Sequence, residues 1–346
     1  MPDPARPVEL TTVADDLAVF HIAGDVHRFE GLAPATTHTL LGTEVTTLHR
    51  PGGALLSRIA TVNDIHFGEY ECGRIDDLPE GTIQRSDPGD EPYPDTMNRA
   101  AVAEIAALAP DAVVVKGDIT NDGLPDEFDA FEAMYRGTFG DRLHVVRGNH
   151  DAYRGQDLYS GNQWIELPGV AIALLDTVTP HQTTGNLTAE QIEWLNDHAA
   201  DATRTGLPVL VMGHHQQWIP GDDNSHRSEG YFGLHPDASD ALTEVAERHT
   251  SIVAYTAGHT HRHRVRYMRC GVPTIEIGCV KDFPGTWAEY RVYEGGITQV
   301  VHRISGEAAL RWSERCRVLY RDFGIDYQSY ALGRLEDRCL NLTLRT

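Results

Sequence analysis

Positive charge is what this sequence most clearly lacks. Its 346 residues carry 29 Lys and Arg against 51 Asp and Glu, which gives a formal net charge of −22 with histidine counted as neutral. No basic tract interrupts this excess of negative charge. Because an acidic surface repels phosphate backbones, the composition argues against a protein that binds a nucleic-acid polymer.

Paired cysteines and long apolar runs are also missing. The five cysteines are scattered without a Cys-x-x-Cys motif, so neither a zinc knuckle nor a disulfide framework is indicated. No stretch approaches the roughly 18 uninterrupted apolar residues of a membrane-spanning helix. The N-terminus lacks the cationic and then apolar segments of a secretory signal. We therefore expect a cytoplasmic protein with no membrane span.

The pattern of apolar and polar residues changes near Ala54. Before it, short β-like segments are punctuated by Gly and Pro; after it, continuous apolar runs alternate with segments of helical periodicity. This alternation is typical of an α/β protein whose strands are buried on both faces. We predict a small N-terminal β subdomain over 1–53, a main domain over 54–304 and a helical extension over 305–346.

Three helices and one hairpin are predicted within these boundaries. The helical patterns cover 96–110, with Asp95 or Thr96 as the N-cap, 188–203 and 237–250. A β-hairpin is predicted over 288–304, turning at 294–296. The connections 67–94 and 216–236 are long and polar, which is typical either of functional loops or of surface insertions.

Five of the apolar runs end in a Gly or turn residue followed by Asp, Asn or His. These segments are Asn63-Asp64-Ile65-His66, Gly117-Asp118, Gly148-Asn149-His150-Asp151, Gly213-His214-His215 and Gly258-His259-Thr260-His261. Ligand sites of α/β sheets lie at the edge shared by the carboxyl ends of the strands. We therefore expect these side chains to converge.

The converging residue types favour a metal site. Imidazole suits Zn and Fe, and carboxylate suits Mn. The candidate ligands are Asp64, His66, Asp118, Asn149, His214, His259 and His261. One tetrahedral ion takes only about four ligands. Seven ligands with one shared carboxylate fit two ions, and such a pair clamps the attacking and leaving oxygens of a phosphoryl displacement.

The local spacing offers a geometric reason for convergence. Asp64 and His66 are two residues apart, as are His259 and His261, and on an extended chain such pairs point the same way. The glycines that precede the ligands, such as Gly117, are expected to let the chain approach the site closely.

In this order, the five segments resemble the motifs of the calcineurin-like metallophosphoesterases. The resemblance covers 54 to about 304 and looks strongest toward bacterial class III cyclic-nucleotide and glycerophosphodiester phosphodiesterases. It implies a four-layer α-β-β-α sandwich, here with a small N-terminal β segment, and a dinuclear metal centre. This chain has Gln216-Gln217-Trp218 where the common relatives have prolines.

The resemblance also implies a role for each residue. It assigns one metal to Asp64, His66 and His261, and the other to Asn149, His214 and His259, with Asp118 bridging both. His150 would stabilise or protonate the leaving group, and Asp151 would orient and polarise that imidazole. The ions would be two of Fe, Mn or Zn.

Other His and aromatic residues leave alternatives open. His215 is a metal ligand, a substrate contact or, the preferred interpretation, a packed neighbour of the site. His263 either supports a metal ligand or, as preferred, lies at the surface. His226 and His235 are loop residues that either enter the pocket or stay outside it. Trp218, Tyr231 and Phe232 either stack on a nucleobase or pack their loop onto the body. Trp312, Tyr320 and Tyr327 are expected to cover the sheet or to form the interface of a homodimer.

The sequence thus predicts a dinuclear-metal-dependent phosphodiesterase that hydrolyses small phosphodiesters, such as cyclic nucleotides, by attack of a metal-activated hydroxide on phosphorus. A phosphomonoesterase and a hydrolase of lipid-derived phosphodiesters or pyrophosphates are alternatives on the same site. A non-catalytic scaffold would have lost ligands, yet every segment retains its metal residue.

Overall fold

Two six-stranded β-sheets lie face to face at the centre of the molecule. The computed structural model describes residues 8–22, 24–75, 81–221, 227–228 and 230–345. Within these ranges, no helix combines the length and the apolar character that a membrane span requires.

The strands follow one another along the chain as follows: β1 Val8–Val13, β2 Leu17–Ile22, β3 Asp25–Glu30, β4 Thr37–Leu40, β5 Thr43–Thr46, β6 Leu55–Val62, β7 Ala112–Lys116, β8 Leu143–Val146, β9 Gln163–Leu167, β10 Val170–Leu174, β11 Val209–Met212, β12 Ile252–Ala257, β13 Arg264–Tyr267, β14 Pro273–Glu276, β15 Thr286–Tyr293, β16 Gly296–Arg303 and β17 Cys339–Leu342. The helices are α1 Tyr93–Leu108, α2 Pro125–Phe131, α3 Gly137–Phe139, α4 Ala189–Thr205, α5 Pro236–Arg248, α6 Glu307–Arg315, α7 Tyr327–Leu332 and α8 Leu335–Arg338.

Each central sheet contains a run of parallel strands. The first sheet has the order β17-β16-β15-β6-β7-β8, in which β6, β7 and β8 are parallel. The second has the order β13-β14-β12-β11-β10-β9, in which β10, β11, β12 and β14 are parallel. The predicted hairpin is confirmed as β15 and β16, which pair from Thr286↔Arg303 to Tyr293↔Gly296.

Three apolar cores separate four layers. The core between the sheets contains Val114, Ile172 and Tyr290. Met97 of α1 and Trp312 of α6 pack on the outer face of the first sheet. A third core, with Leu195 of α4, Leu242 of α5 and Tyr255 of β12, covers the outer face of the second sheet. The predicted four-layer α-β-β-α sandwich is therefore confirmed.

The ends of helices α4 and α1 test the capping residues that the sequence predicts. Thr188 caps α4 and accepts a hydrogen bond from the backbone N–H of Gln191, while Gly206 ends the helix in the left-handed conformation. The N-cap predicted for α1 is wrong. This helix begins at Tyr93, with Pro94 in its first turn, where a missing N–H costs nothing, and Asp95 lies inside that turn.

The N-terminal and C-terminal segments both contact β16 of the first sheet. Strands β1, β2 and β3 form an antiparallel sheet, and β4 and β5 form a hairpin, as expected for a small N-terminal β segment. The C-terminal segment is not purely helical as predicted, because its β17 pairs with β16. This strand covers an edge of the sheet whose backbone groups would otherwise lack partners.

Glu289, Arg291 and His302 form a buried group of ionisable side chains on β15 and β16 of the first sheet. Glu289 is fully buried on β15, with its carboxylate 3.0 Å from Arg291 Nε and 3.1 Å from His302 Nε2. Burial opposes its charge, but the hydrogen bond from His302 and the charge of Arg291 lower its pKa from 4.5 to about 2. Its stabilising effect is therefore full above pH 4.5 and is lost as the pH falls toward about 2.

We expect Glu289→Gln to lower the free energy of unfolding at pH 7 by about 3 kcal/mol, since it breaks a buried ion pair. The difference from wild type should shrink as the pH falls below 4.5. Urea unfolding across that range measures this. The exposed Glu307→Gln is the matched control and should stay within about 0.5 kcal/mol of wild type. A difference that does not vary with pH would contradict the expectation.

Candidate metal centre

The five polar segments meet where the carboxyl ends of the two sheets come together. Strands β6, β7 and β8 of the first sheet lead into Asp64 and His66, Asp118, and Asn149; strands β11 and β12 of the second lead into His214, and into His259 and His261. The expectation that these strands share the edge of one sheet is therefore wrong. The site lies between two sheets because the sandwich aligns both sets of strand ends.

One group of ligand atoms consists of Asp64, His66 and His261. The Nε2 atom of His261 lies 3.6 Å from Asp64 Oδ1. A ligand atom from each of the three side chains lies within 4.8 Å of the others. These side chains are the set predicted to hold the first metal.

A second group converges on His214. Its Nε2 atom lies 3.0 Å from Asn149 Oδ1, 3.2 Å from His259 Nδ1 and 3.3 Å from Asp118 Oδ1. The other oxygen of Asp118 lies 3.6 Å from His66 Nε2 in the first group. The carboxylate of Asp118 thus faces both groups, as a bridging ligand must.

His66 shows that a cation fits this arrangement. Its side chain is buried, and neither ring nitrogen has a hydrogen-bond partner. Leaving a buried polar group unpaired costs about 1–3 kcal/mol. A metal ion would supply the missing partner, and a set of imidazole, carboxylate and amide donors fits Fe, Mn or Zn.

The ligand-bearing backbone is not extended, contrary to the expectation for the residue pairs two apart. Asp64, His66, Asp118, His259 and His261 all have left-handed backbones, with φ of 53°, 47°, 48°, 70° and 53°. Such conformations cost about 1–3 kcal/mol each for non-glycine residues and cluster at functional sites. The spacing is right, but tight turns rather than extended chain aim the side chains.

Two glycines let neighbouring turns pack directly against each other. A Cβ atom on Gly117 would lie 2.7 Å from the backbone nitrogen of Gly148, and one on Gly148 would lie 2.2 Å from that of Asp118. Gly117 also has a φ of 80°. The predicted close approach of the chain is therefore confirmed here, and it brings Asp118 beside Asn149.

Asp151 does not orient His150, which corrects the role predicted for it. Its buried carboxylate accepts hydrogen bonds from the backbone N–H groups of Gly148 (2.7 Å), Ile119 (3.1 Å) and Thr120 (2.8 Å), and from the Thr120 hydroxyl (2.6 Å). Asp151 therefore joins the turn after β7 to the turn after β8. It acts on the positions of Asp118 and Asn149, not on an imidazole.

A backbone carbonyl orients His150 instead. The Nδ1 atom of His150 lies 2.7 Å from the carbonyl oxygen of Asn121. Its ring lies 4.6 Å from that of His66, which places it beside the first group of ligands. Its own backbone N–H donates to Asp118 Oδ1 over 3.0 Å. His150 is therefore held at the site by the segment after β7, which carries Asp118 and Asn121.

Carbonyl oxygens also fix the rings of His214 and His259. The Nδ1 atom of His214 lies 2.8 Å from the carbonyl of Lys116, and the Nε2 atom of His259 lies 2.7 Å from the carbonyl of Phe232. Each ring therefore turns its other nitrogen toward the ligand cluster. The contact with the Phe232 carbonyl, in the 216–236 loop, could not be predicted from the sequence, because every residue type carries a backbone carbonyl.

Two further histidines, His215 and His263, are buried and hydrogen-bonded within the fold. His215 is buried beside the site with Nδ1 2.8 Å from Thr177 Oγ1 and Nε2 3.1 Å from the Thr183 carbonyl, as expected for a neighbour. His263 is buried rather than at the surface, because its Nδ1 accepts from Gly278. His235 caps α5, and His226 lies outside the described residues.

Two residues at the site, Tyr153 and Asp282, were not predicted from the sequence. The hydroxyl of Tyr153 lies 2.6 Å from Asn149 Nδ2, and its ring packs 4.9 Å from that of His150. Asp282 lies with Oδ2 3.5 Å from His261 Nδ1. Neither follows a strand in a recognisable motif, so only the folded structure reveals them.

The charges of the cluster suit a cation. Burial opposes the charged forms of Asp118 and His214, but their mutual attraction outweighs it. The pKa of Asp118 therefore lies well below its usual range, and that of His214 rises to about 9. Asp118 is thus ionised, as a ligand must be, and a metal that binds His214 must displace its proton.

With this geometry in place, comparison with known proteins identifies the family. The family model for calcineurin-like phosphoesterases matches residues 57–263, and this chain belongs to that family. The match begins within β6 and ends at the residue before β13, and so contains all seven predicted ligands.

Curated relatives of known class are distant. A probable cyclic nucleotide phosphodiesterase of Synechococcus is 25% identical over 48% of this chain and 65% of its own length. A glycerophosphodiester phosphodiesterase of Enterobacter lignolyticus is 27% identical over 51% of this chain and 66% of its own length. The matches therefore span just under two thirds of these two relatives.

Solved structures support the fold alone. A dimetal phosphatase of Danio rerio superposes with a TM-score of 0.57 at 15% identity, covering 84% of this chain and 100% of that one. A purple acid phosphatase of yellow lupin gives 0.50 at 12% identity, covering 89% and 66%.

We expect Asp151→Asn to weaken metal binding, because an amide nitrogen cannot accept the hydrogen bonds that join the two turns. One or more buried backbone N–H groups would lose their partner, at about 1–3 kcal/mol. Thr120→Val is the matched control, since it keeps the three backbone N–H donors to Asp151 and removes the Thr120 hydroxyl, which donates to Asp151 and accepts from the Gly123 N–H. Metal content by mass spectrometry and thermal unfolding measure both effects. Equal metal content and stability in all three proteins would refute the role given to Asp151.

Proposed function

We propose that this chain is a metal-dependent phosphodiesterase that acts on small phosphodiesters, with the seven residues named above as metal ligands. The observation that carries the proposal is the carboxylate of Asp118, which faces Nε2 of His66 at 3.6 Å and Nε2 of His214 at 3.3 Å. Two ligand groups that share one carboxylate are suited to a pair of ions. The curated phosphodiesterase relatives support the same class.

The metals and the protein divide the chemistry between them. When bound, two such ions neutralise phosphate oxygens and bring the pKa of a water molecule toward neutrality. His150, with Nδ1 held by the Asn121 carbonyl, presents its other nitrogen to a substrate beside the first group. There it would stabilise or protonate the departing oxygen as an imidazolium, with one proton on the nitrogen bound to the Asn121 carbonyl and a second on the nitrogen that faces the substrate. Tyr153 packs against that ring and keeps Asn149 in place.

The charges around the site favour a diester over a monoester. A diester carries one negative charge at phosphorus, and a monoester carries close to two at neutral pH. Lys281 and Arg147, which lie beside the site, are already paired with Glu69 and Asp176. Lys116 is fully buried with its ammonium on the Ala257 carbonyl. These cations are thus committed within the fold, which supports the singly charged substrate.

Phe232 is the aromatic residue best placed to meet a nucleobase. Its side chain is 43% exposed and stacks on His259 at 5.6 Å between ring centroids. Trp218, by contrast, is buried under Arg227, and Gln217 binds the Ser239 carbonyl of α5. Of the aromatic alternatives in this loop, Phe232 therefore supports base stacking, while Trp218 packs the loop onto the body.

We expect Asn149→Ala and His214→Ala to reduce turnover of bis-p-nitrophenyl phosphate in Mn²⁺ by at least about 100-fold, the upper range for partners that only support metal ligands. His38→Ala, in the distant β4–β5 hairpin, is the matched control. Circular dichroism checks that the fold is intact. Full activity in either variant at saturating Mn²⁺, or a wild type that prefers p-nitrophenyl phosphate, would overturn the proposal.

We expect Phe232→Ala to raise the KM for a cyclic nucleotide by roughly 5- to 150-fold, since stacking on one base is worth about 1–3 kcal/mol. Its backbone carbonyl, which holds His259, is retained. The panel comprises 3′,5′-cyclic AMP, 2′,3′-cyclic AMP and a glycerophosphodiester, which has no ring and should be unaffected. An equal rise for all three substrates would show that the side chain supports the site without contacting a base.

A further inference from the structure

His261 differs from the other predicted ligands in what fixes its ring. Its Nε2 atom faces Asp64 in the first ligand group, while Nδ1 lies 3.5 Å from Asp282 Oδ2. His214 and His259 are each held by a backbone carbonyl. A carboxylate behind a metal-binding imidazole fixes its tautomer and makes it a stronger ligand.

Asp282 is itself held firmly. It is fully buried, and its Oδ1 atom accepts hydrogen bonds from the hydroxyl of Tyr327 over 2.8 Å and from the thiol of Cys279 over 3.0 Å. The thiol of Cys72 lies 3.7 Å from Oδ2. The neighbouring ammonium of Lys281 is paired with Glu69 instead. Oδ2, the carboxylate oxygen that does not bind Tyr327, therefore faces His261.

We propose that Asp282 is a positioning residue that holds His261 in the tautomer needed for metal binding, and that Tyr327 aligns Asp282 for this task. The inference rests on the proposed dinuclear function. It gives a role to the C-terminal segment, since α7 carries Tyr327. That segment lies beyond the family match, which ends at residue 263.

The tautomer explains why an amide cannot replace this carboxylate. In the Asp282→Asn variant, the Tyr327 and Cys279 donors would engage the amide oxygen, so the NH₂ group would turn toward His261. Nδ1 would then have to accept, and the ring proton would move to Nε2, the atom that faces Asp64. That nitrogen would lose the lone pair with which it binds a metal.

The test compares metal affinity in wild type, Asp282→Asn and Tyr327→Phe by competition with a chelator, using Co²⁺ as the probe. We expect Asp282→Asn to weaken one of the two sites by about 10- to 100-fold and to change the visible spectrum of that Co²⁺ ion, while the other site is unchanged. Tyr327→Phe should shift the same site in the same direction by less. In a His261→Ala background, Asp282→Asn should have no further effect on affinity.

Thermal unfolding of the metal-free proteins separates this role from a structural one. Wild-type affinity and spectrum in Asp282→Asn, with only a lowered melting temperature, would overturn the inference. If that variant does not fold, Tyr327→Phe decides the matter, and unchanged affinity and spectrum in it have the same meaning. A wild type that binds fewer than two Co²⁺ ions would instead refute the proposed dinuclear function.

Discussion

The rest of the site depends on the position of one carboxylate, that of Asp118. It sits after the carboxyl end of β7 in the first sheet, in a left-handed turn with φ of 48°, and faces histidines that follow strands of both sheets. The backbone N–H of His150 binds one of its oxygens, and Gly148 packs on its backbone where no side chain would fit. Its carbonyl accepts hydrogen bonds from Ile65 and His66, which ties the turn after β6 to the turn after β7.

The sandwich sustains the backbone strain that this geometry needs. Five of the seven predicted ligands have left-handed backbones, which together cost several kcal/mol by the usual estimate of about 1–3 kcal/mol each. The strands that lead into these turns are buried on both faces, and Asp151 joins two of the turns through four hydrogen bonds. Rigid strands therefore fix the ends of strained turns, so that the ligand atoms are close together before any ion binds.

Much of the site could be predicted from the sequence because its ligands follow recognisable strands in a fixed order. Apolar runs such as Val113–Val115 predict strands buried on both faces, and the Gly-Asp and Gly-His segments mark their ends. The pairing of two sheets could not be read from those runs, since a buried strand has the same composition in either sheet. Asp282 was missed because it reaches the site only through tertiary packing, and Tyr153 was missed because no motif marks a tyrosine four residues after Asn149. Asp151 was misassigned because its partners are backbone N–H groups and the Thr120 hydroxyl.

The net charge of −22 takes on a different meaning beside this site. It disfavours polyanions held by surface charge, whereas cations at the proposed phosphodiester site would neutralise the buried carboxylates Asp64 and Asp118. The most direct test of this account is electron paramagnetic resonance of the protein loaded with Mn²⁺, together with the metal content per chain. The account predicts two ions per chain with a spin-coupled spectrum, because the Asp118 carboxylate would bridge them. A single ion per chain, or two ions without coupling, would contradict it.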